Sequence, residues 1–387
     1  MSKLAIHGGT PVFKGTFPSW PYWNDEEKHN LLRALSAGQW GTLGAEALTF
    51  ANEFAAYIGT KHAVCVNTGT QALEMMLRGC GIGYGDDVIT TPYTFSATVS
   101  SIAWCGAMPV MADIDPDTGN IDPDSLEGCC TPATKAILLV HVAGRPCDMD
   151  AINAFAKKKG ILVLEDSAHA HGSQWKGVRC GHLGDASAFS FQGSKAITGG
   201  EGGCVTTDSD AIYAKVWEYH NSGRAADGST VMGTNARMAE WEASILRAQL
   251  PRLEEQCALR QKNAAYVSSR IEGLPGITLP RKDPRITLWN GYMYTFRAAR
   301  RDEFVEALNA EGIPCSKGYP SLEDMGMLRE PYFEKHTGRK YQRSACQKGT
   351  NILTKEAVWI PAPILMGGDE ETACIAEAIA KVAKEIH

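Results

Sequence analysis

The stretch from residue 136 to residue 165, AILLVHVAGRPCDMDAINAFAKKKGILVLE, contains two apolar runs separated by a helical pattern. The runs Ala136–Val140 and Ile161–Glu165 are short and nearly continuous, which is typical of strands covered on both faces. Met149–Lys159 lies between them and favours a helix. This order predicts two parallel strands joined by a crossover helix, the repeating unit of an α/β protein.

Five further apolar runs extend this pattern on both sides of the first stretch. They are Ala63–Val66, Val88–Thr91, Pro109–Asp113, Ala186–Ser190 and Gly203–Thr206. A helical pattern with Leu73, Met76 and Leu77 on one face follows the first of these runs. The sequence therefore predicts a large α/β domain with a mostly parallel, seven-stranded sheet.

The pattern changes after about residue 236. Ala236–Ile271 is a long helical region that we expect to be interrupted at Pro251. A strand candidate, Tyr292–Arg297, follows, and then come two helical patterns. The residues on their apolar faces are Phe304 and Leu308 in the first, and Ile375, Ile379, Val382 and Ile386 in the second.

This change predicts two domains. We expect residues 1–250 to form the large domain and residues 251–387 to form a smaller α+β domain. The irregular segment 1–30 contains three prolines and is expected to pack beside the smaller domain.

The composition excludes several classes of protein. The 387 residues carry 38 basic and 44 acidic side chains, and a net charge of −6 argues against nucleic acid and anionic membrane surfaces as partners. The sequence has no membrane-span-like apolar run and no signal-like start, which predicts a cytoplasmic protein. Twelve cysteines without a CxxC pair predict neither a disulfide framework nor a metal site.

A lysine with small neighbours stands out in the segment SFQGSKAITGGEGG, which begins at Ser190 and ends at Gly203. Lys195 follows a predicted strand, and the small residues around it allow a flat or phosphorylated group to approach closely. A partly buried amine is a candidate nucleophile for a Schiff base. A surface lysine in a glycine-rich loop fits this segment equally well.

An acidic residue ends the apolar strand in ILVLEDSAHAHG, which begins at Ile161. Asp166 lies where α/β proteins place ligand-binding side chains, and a carboxylate there suits the pyridine nitrogen of pyridoxal phosphate. The alternative is a helix N-cap. His169 and His171 invite a metal site, but no further ligand cluster is near them in sequence.

The segment CVNTGTQAL, which begins at Cys65, reads as a strand, a short glycine turn and a helix. Gly69 and Thr70 would place backbone N–H groups at a helix N-terminus, where phosphate binds. The segment matches neither a Walker A motif nor GxGxxG, and many α/β turns resemble it.

The segment TPYTFSAT, which begins at Thr91, places aromatic side chains after another predicted strand. Phe95 or Tyr93 could lie flat on a cofactor ring. An ordinary core aromatic explains either residue taken singly.

The order and spacing of these four segments resemble the DegT/DnrJ/EryC1/StrS aminotransferases. These are fold-type I pyridoxal phosphate enzymes, which mostly make amino sugars or aminocyclitols. The resemblance extends to the opening LAIHGGTP, the loop Gly38–Gly44 and the stretch Thr234–Ala243, and so covers nearly the whole chain. Within the family, the sequence is most similar to the branch with scyllo-inosose aminotransferases and 3-amino-5-hydroxybenzoate synthases.

The resemblance implies roles around the cofactor ring. Lys195 would hold pyridoxal phosphate as a Schiff base, and Asp166 would pair with the pyridine nitrogen. Phe95 would stack on one face of the ring, and His169 would lie near the other.

The resemblance also implies how the phosphate is held. Gly69 and Thr70 would bind it with help from Ser190. Asn235 would open the long helix and reach the phosphate of the neighbouring subunit's cofactor. The family therefore implies a homodimer with shared active sites.

The sequence thus predicts a pyridoxal phosphate-dependent aminotransferase that moves an amino group from glutamate or glutamine to a keto-sugar or keto-cyclitol. One alternative is a dehydrating aromatase like the 3-amino-5-hydroxybenzoate synthases. A second is a non-catalytic regulator with this fold, which would be free to lose Lys195 or Asp166, yet both are present. A nicotinamide dehydrogenase is disfavoured because the glycine fingerprint is missing.

Overall fold

The computed structural model describes residues 3–228, 230–344 and 347–387. The strands are β1 (His62–Val66), β2 (Asp87–Thr90), β3 (Met108–Met111), β4 (Thr134–Val140), β5 (Leu162–Asp166), β6 (Gln174–Trp175), β7 (Val178–Arg179), β8 (Ala186–Ser190), β9 (Gly203–Thr207), β10 (Ile277–Thr278), β11 (Ile286–Leu288), β12 (Met293–Ala298), β13 (Ser316–Lys317) and β14 (Ala357–Pro361).

The α-helices surround these strands and follow them along the chain. They are α1 (Asp25–Ser36), α2 (Glu46–Ile58), α3 (Gly69–Gly79), α4 (Ser96–Trp104), α5 (Leu126–Cys129), α6 (Met149–Lys159), α7 (Asp210–His220), α8 (Glu240–Gln249), α9 (Leu253–Ile271), α10 (Arg301–Ala310), α11 (Pro331–Thr337), α12 (Lys348–Glu356) and α13 (Asp369–Ala383). Among the described residues, none of the helices has the length and apolar character needed to cross a membrane.

The largest sheet has seven strands in the order β1-β9-β8-β5-β4-β2-β3. The strands from β8 to β3 pair in parallel, whereas β9 runs antiparallel to both of its neighbours. These are the seven predicted runs, with ends shifted by at most two residues. The prediction of a mostly parallel, seven-stranded sheet is confirmed.

The apolar runs are continuous because helices bury both faces of this sheet. Leu138 and Leu164 belong to a core cluster on one face, together with residues of α3 and α4. Ile137 and Val163 belong to a second cluster on the other face, with residues of α6. Successive side chains of a strand point to opposite faces, so a strand buried on both faces needs apolar residues at every position.

A second sheet is antiparallel throughout, with the order β10-β12-β14-β13. Its core contains Phe296, Phe304 and Ile379, and α9, α10 and α13 supply the facing side chains. Leu4 of the N-terminal segment belongs to this same cluster. The division of the chain into domains at residue 250 remains a prediction. A third, three-stranded sheet has the order β11-β6-β7.

The long helical region is shorter than predicted. We expected it to begin at Ala236, but α8 begins at Glu240. The residues before α8 are extended beside β1, because the N–H of Asn67 donates to the carbonyl of Ala236 and Arg237 forms a β-bridge with Val66. The predicted interruption at Pro251 is a 3-10 turn between α8 and α9.

The last helix also ends earlier than its pattern indicates. Ile375, Ile379 and Val382 are buried on one face of α13, as predicted. Ile386 lies beyond the end of the helix at Ala383, but it packs against the same apolar cluster.

A buried carboxylate anchors the N-terminal segment to the second sheet's helices. Glu311 accepts hydrogen bonds from the backbone N–H groups of Ala5 (2.8 Å) and Val12 (3.0 Å). Its third partner is the ammonium of Lys381 at 2.8 Å. The backbone carbonyl of Glu311 also accepts from the N–H of Phe13, so this one residue binds the N-terminal segment through three N–H groups.

The anchor predicts a stability effect. Glu311→Ala leaves two backbone N–H groups without their acceptor and leaves the largely buried Lys381 ammonium with the Thr10 carbonyl but without its carboxylate, so the free energy of unfolding should fall by about 3 kcal/mol or more. Urea unfolding followed by circular dichroism measures this change. Glu272→Ala removes an exposed partner of Lys282 and should cost less than about 1 kcal/mol. Equal losses in the two variants would contradict the anchoring role of Glu311.

Candidate active site

A cleft of about 690 Å³ opens at the carboxyl ends of the central parallel strands. Val140, Asp166 and Ser190, the last residues of β4, β5 and β8, all line it. The opposite wall comes from the second sheet, through residues of β12, β13 and β14. Seven predicted site residues line the cleft: Gly69, Thr70, Phe95, Asp166, His169, Ser190 and Lys195. The eighth, Asn235, is not among its lining residues.

Asp166 is buried at the floor of the cleft. Its carboxylate accepts hydrogen bonds from the Thr98 hydroxyl (2.7 Å) and from the backbone N–H of Ala168 (3.2 Å). Burial raises the pKa of this carboxyl above its ordinary value, and the hydrogen bonds and the charge of Lys195 offset only part of that effect. The site therefore contains an acidic group that would be stabilised by a cation placed against it.

The adjacent acid, Glu165, faces the other side of the sheet. Its two oxygens accept from the backbone N–H groups of Gly181, Leu183 and Gly184, and the His141 ring contacts it at 2.9 Å. The Cys180 thiol lies close to both side chains. Among the described residues, His141, Glu165 and Cys180 are the one group whose spacing could suit a metal ion. Protein donors already engage the carboxylate, so this cluster is a hydrogen-bonded part of the core.

Lys195 lies in a tight loop that several contacts hold in place. Its backbone N–H donates to the carbonyl of Gln192 (2.8 Å), and the indole N–H of Trp20 donates to the carbonyl of Gly193 (3.0 Å). A buried amide, Gln249, both donates to and accepts from the backbone of Thr198 just beyond the lysine. These contacts hold the loop so that the Lys195 side chain lies in the cleft, opposite the wall that the second sheet forms.

The second sheet contributes a tyrosine directly beside this amine. The hydroxyl of Tyr292 lies 3.4 Å from Nζ of Lys195, and the same hydroxyl lies 3.4 Å from the Ser194 hydroxyl. The sequence predicts Tyr292 only as the first residue of a strand, without a role in the site. A lone tyrosine before a strand carries no signal that would separate it from a core residue.

His169 lies against the same tyrosine. The centroids of the His169 and Tyr292 rings are 4.4 Å apart, and the Tyr319 hydroxyl lies 3.3 Å from Nε2 of His169. Burial and the charge of Lys195 hold the pKa of His169 well below its ordinary value, so the ring is neutral. Nδ1 of His169 is buried and has no hydrogen-bond partner among the described residues.

The second histidine of this segment has different surroundings. His171 packs against the rings of Phe189 and Phe191, at centroid distances of 5.3 and 5.6 Å. Burial lowers the pKa of His171 to about 3. Because His171 does not line the cleft, the two histidines contribute to different regions, a difference that their spacing in the sequence does not reveal.

The glycine turn forms a close contact between α3 and β8. A Cβ on Gly69 would lie 2.4 Å from Cβ of Ser190, so this position requires glycine. Thr68 caps α3 by accepting from the N–H of Gln71. The N-terminus of α3 and the Ser190 hydroxyl therefore meet at the end of the cleft, and together they form the kind of anion site that phosphate occupies.

Phe95 is 59% exposed and lies at the N-terminus of α4, with its ring at the wall of the cleft. Thr98, three residues later, directs its hydroxyl to Asp166. Thr98 is not among the predicted site residues, although its spacing from Phe95 places it one helical turn further along the same wall.

Asn235 does not occupy the predicted position at the start of a helix. It is exposed, it forms a β-bridge with Asn221, and the N-cap of α8 is Ala239. The prediction that Asn235 opens the long helix is therefore wrong. The cause is the pairing of the neighbouring residues with β1, which keeps the segment extended.

The raised pKa of Asp166 predicts a pH-dependent effect on the apoprotein. The folded protein holds this proton more tightly than the unfolded chain, so the carboxyl destabilises the fold increasingly as the pH rises through its folded-state pKa. Asp166→Asn should therefore raise the free energy of unfolding at pH 8, on the order of 1 kcal/mol. Below about pH 4, the usual range for an unfolded carboxyl, the gain should vanish.

Glu165→Gln is the matched control for this prediction. Its side chain would place an amide against three backbone N–H donors, so this variant should be less stable than the wild type at pH 8. Thermal unfolding of the apoproteins at pH 4 and pH 8 measures both changes. A loss of stability in Asp166→Asn at pH 8 would contradict the prediction.

Comparison with known proteins identifies the family. Residues 22–380 match the model of the DegT/DnrJ/EryC1/StrS aminotransferase family. The chain is 34% identical to the 3-amino-5-hydroxybenzoate synthase of Amycolatopsis mediterranei, over 94% of this chain and 96% of that protein. It is 33% identical to the L-glutamine:2-deoxy-scyllo-inosose aminotransferase of Streptoalloteichus tenebrarius, over 98% of this chain and 97% of that protein.

Solved structures agree with this result. The crystal structure of 3-amino-5-hydroxybenzoic acid synthase superposes with a TM-score of 0.89 and 34% identity, and covers 97% of this chain and 100% of that one. The fold is therefore that of the fold-type I pyridoxal phosphate-dependent transferases, as predicted. The chain belongs to the DegT/DnrJ/EryC1/StrS family of pyridoxal phosphate-dependent aminotransferases.

Proposed function

We propose that this aminotransferase transfers an amino group from glutamine or glutamate to a keto-cyclitol or keto-sugar, and that Lys195 and Asp166 are its central catalytic residues. The observation that supports the proposal is their convergence, from different strands, on one cleft that also contains the N-terminus of α3. A relative that is 33% identical is named for glutamine as amino donor and 2-deoxy-scyllo-inosose, a keto-cyclitol, as acceptor, which favours these substrate classes.

The residues of the cleft fit pyridoxal phosphate. α3 begins at Gly69 beside the Ser190 hydroxyl, where a phosphate could bind at the helix N-terminus, and the buried carboxylate of Asp166 would be stabilised by a cationic partner such as a protonated pyridine. Phe95 and His169 would cover the two faces of the ring. When bound, the cofactor supplies an aldehyde that condenses with amines and a ring that takes up an electron pair from the substrate carbon.

Lys195 would perform the proton transfers. Its amine would hold the cofactor and would be free while the amino donor is bound. The free amine would take a proton from the donor carbon as general base and then give it up as general acid. Tyr292, at 3.4 Å, would hold this amine in the cleft between the two steps.

Asp166 would keep the ring nitrogen protonated. In a buried site, a carboxylate and a cation attract each other strongly, because little water is present to screen them. His169 would add no charge of its own, since its pKa is far below neutral pH. The ability of the ring to take up an electron pair would therefore depend on Asp166.

A dehydrating aromatase is a second candidate function, because a 34% identical relative is named as a 3-amino-5-hydroxybenzoate synthase. That reaction would use the same lysine to remove protons, but its substrate would lose water to give an aromatic product. A non-catalytic regulator is less well supported, since both Lys195 and Asp166 line the cleft.

The proposal predicts where the cofactor attaches and what is lost without that residue. Borohydride reduction of the holoenzyme should fix the cofactor to Lys195, as peptide mass mapping would show. Lys195→Ala should lower turnover at least ~10³-fold, or about 4 kcal/mol. Lys262→Ala, which changes an exposed lysine in α9, should leave turnover unchanged. A label on another lysine would contradict the assignment.

A second assay would separate the candidate functions. The pyridoxamine form of the enzyme is mixed separately with keto-cyclitols, keto-sugars and an aminodehydroshikimate-like compound. The mass of each product is then measured by mass spectrometry. Replacement of a ketone by an amine supports the proposed transamination, whereas loss of water from the last compound alone supports the aromatase.

We further propose that the enzyme is a homodimer with shared sites, in which Asn235 reaches the cofactor phosphate of the other subunit. Exposed apolar side chains that a second chain could cover support this proposal. They include Leu32, Leu35, Leu48 and Met232, the last of which is 97% exposed and close in sequence to Asn235. The cytoplasmic location predicted from the sequence also remains a proposal.

A mixing experiment tests the shared site. In a heterodimer of Lys195→Ala and Asn235→Ala chains, one site carries both substitutions and the other carries neither. An equal mixture that has exchanged subunits should therefore recover up to about a quarter of wild-type turnover. A mixture of Lys195→Ala with Asp166→Asn leaves one substitution in every site and should recover nothing. Equal behaviour of the two mixtures would contradict the shared site.

A further inference from the structure

Asn290 connects the two walls of the cleft through its side-chain amide. It has no exposed surface and lies just before β12. Its Nδ2 donates to the carbonyls of His169 (2.8 Å) and His171 (3.1 Å), both in the segment after β5. Its Oδ1 accepts from the backbone N–H of Tyr292 (3.0 Å). One amide therefore joins the segment after β5 of the seven-stranded sheet to the start of β12 in the second sheet.

The backbone of Asn290 is held as firmly as its side chain. Its N–H donates to the Ser173 hydroxyl (3.0 Å), and its carbonyl accepts from Nε of the buried Arg260 (2.7 Å). A Cβ on Gly144 would lie 2.1 Å from Oδ1 of Asn290, so glycine at position 144 allows the amide to lie here. The partners also fix which atom is oxygen, because only the oxygen can accept from Tyr292.

This connection sets the position of two rings in the cleft. Tyr292 lies two residues after Asn290, with its hydroxyl 3.4 Å from Nζ of Lys195. The ring of His169, whose carbonyl accepts from Asn290, lies 4.4 Å from the ring of Tyr292. Loss of the two donated hydrogen bonds would let both rings shift relative to the lysine.

We propose that Asn290 is a positioning residue for the transamination site, which acts by fixing Tyr292 and His169 relative to Lys195. The inference rests on the proposed role of Lys195. Asn290 itself does not touch the cofactor site, since it is absent from the lining of the cleft.

The chain offers a matched control. Asn263 in α9 is also buried, and its Nδ2 donates to two backbone carbonyls, those of Leu365 and Gly367, both at 2.9 Å. Neither of these carbonyls belongs to a residue that lines the cleft. Asn290→Asp and Asn263→Asp therefore remove the same pair of donors from buried sites, but only the first affects the cleft.

The experiment compares the holoenzymes of these two variants with the wild type. Measurements are the melting temperature, kcat and KM for the amino donor, and the pH dependence of the visible absorption band of the bound cofactor. Both variants should melt at lower temperature. Only Asn290→Asp should move the midpoint of the absorption titration, by about half a pH unit or more, and lower kcat about tenfold or more with little change in KM.

An unshifted titration and an unchanged kcat in Asn290→Asp would overturn the proposal, as would equal shifts in both variants. If Asn290→Asp does not fold, Asn290→Ser, which keeps one donor, is judged by the same criteria. A wild-type protein without a visible band after addition of pyridoxal phosphate contradicts the proposed function instead.

A double variant tests whether Asn290 acts through Tyr292. Tyr292→Phe removes the hydroxyl that contacts Lys195, so the effect of Asn290→Asp on kcat should be smaller in that background. Fully multiplicative losses would contradict positioning through Tyr292.

Discussion

The buried carboxylate of Asp166 is the constraint on which the cleft depends. Its burial raises its pKa, and its neutral donors, the Thr98 hydroxyl and the Ala168 N–H, offset only part of the cost of removing a charge from water. The apolar clusters on both faces of the sheet hold β5 in place despite this cost. A site of this kind is less stable when empty than when a cation is bound, which favours retention of a cofactor with a positively charged ring.

The second constraint is the contact between the two sheets. Tyr93, which follows β2, packs edge to face on Trp359 of β14 at 6.2 Å, and the indole N–H of Trp289 donates to the carbonyl of Ala143 beside the end of β4. Lys195 comes from one side of this contact and Tyr292 from the other. Small shifts between the sheets would therefore change the surroundings of the lysine directly, and this gives the buried hydrogen bonds of Asn290 their importance.

Neighbouring residues with similar side chains have different roles because strands alternate. Asp166 shares its face of β5 with Leu164 and opens into the cleft, whereas Glu165 shares its face with Val163 and accepts three backbone N–H groups. The first carboxylate remains open to a ligand, and the second is part of the core. The contrast shows how a one-residue difference in position separates a functional acid from a structural one.

The sequence by itself determined the seven strands, the acid at the end of β5 and the lysine loop after β8, because burial on both faces and glycine turns leave local signals. The tertiary structure alone decided that residues 235–237 are extended, since their partners in β1 are far away in the chain. It also decided that His169 lines the cleft while His171 packs on phenylalanines, and that Asn290 bonds to carbonyls about 120 residues away. Hydrogen bonds between distant segments leave no periodic pattern in a sequence, so only the folded chain reveals them.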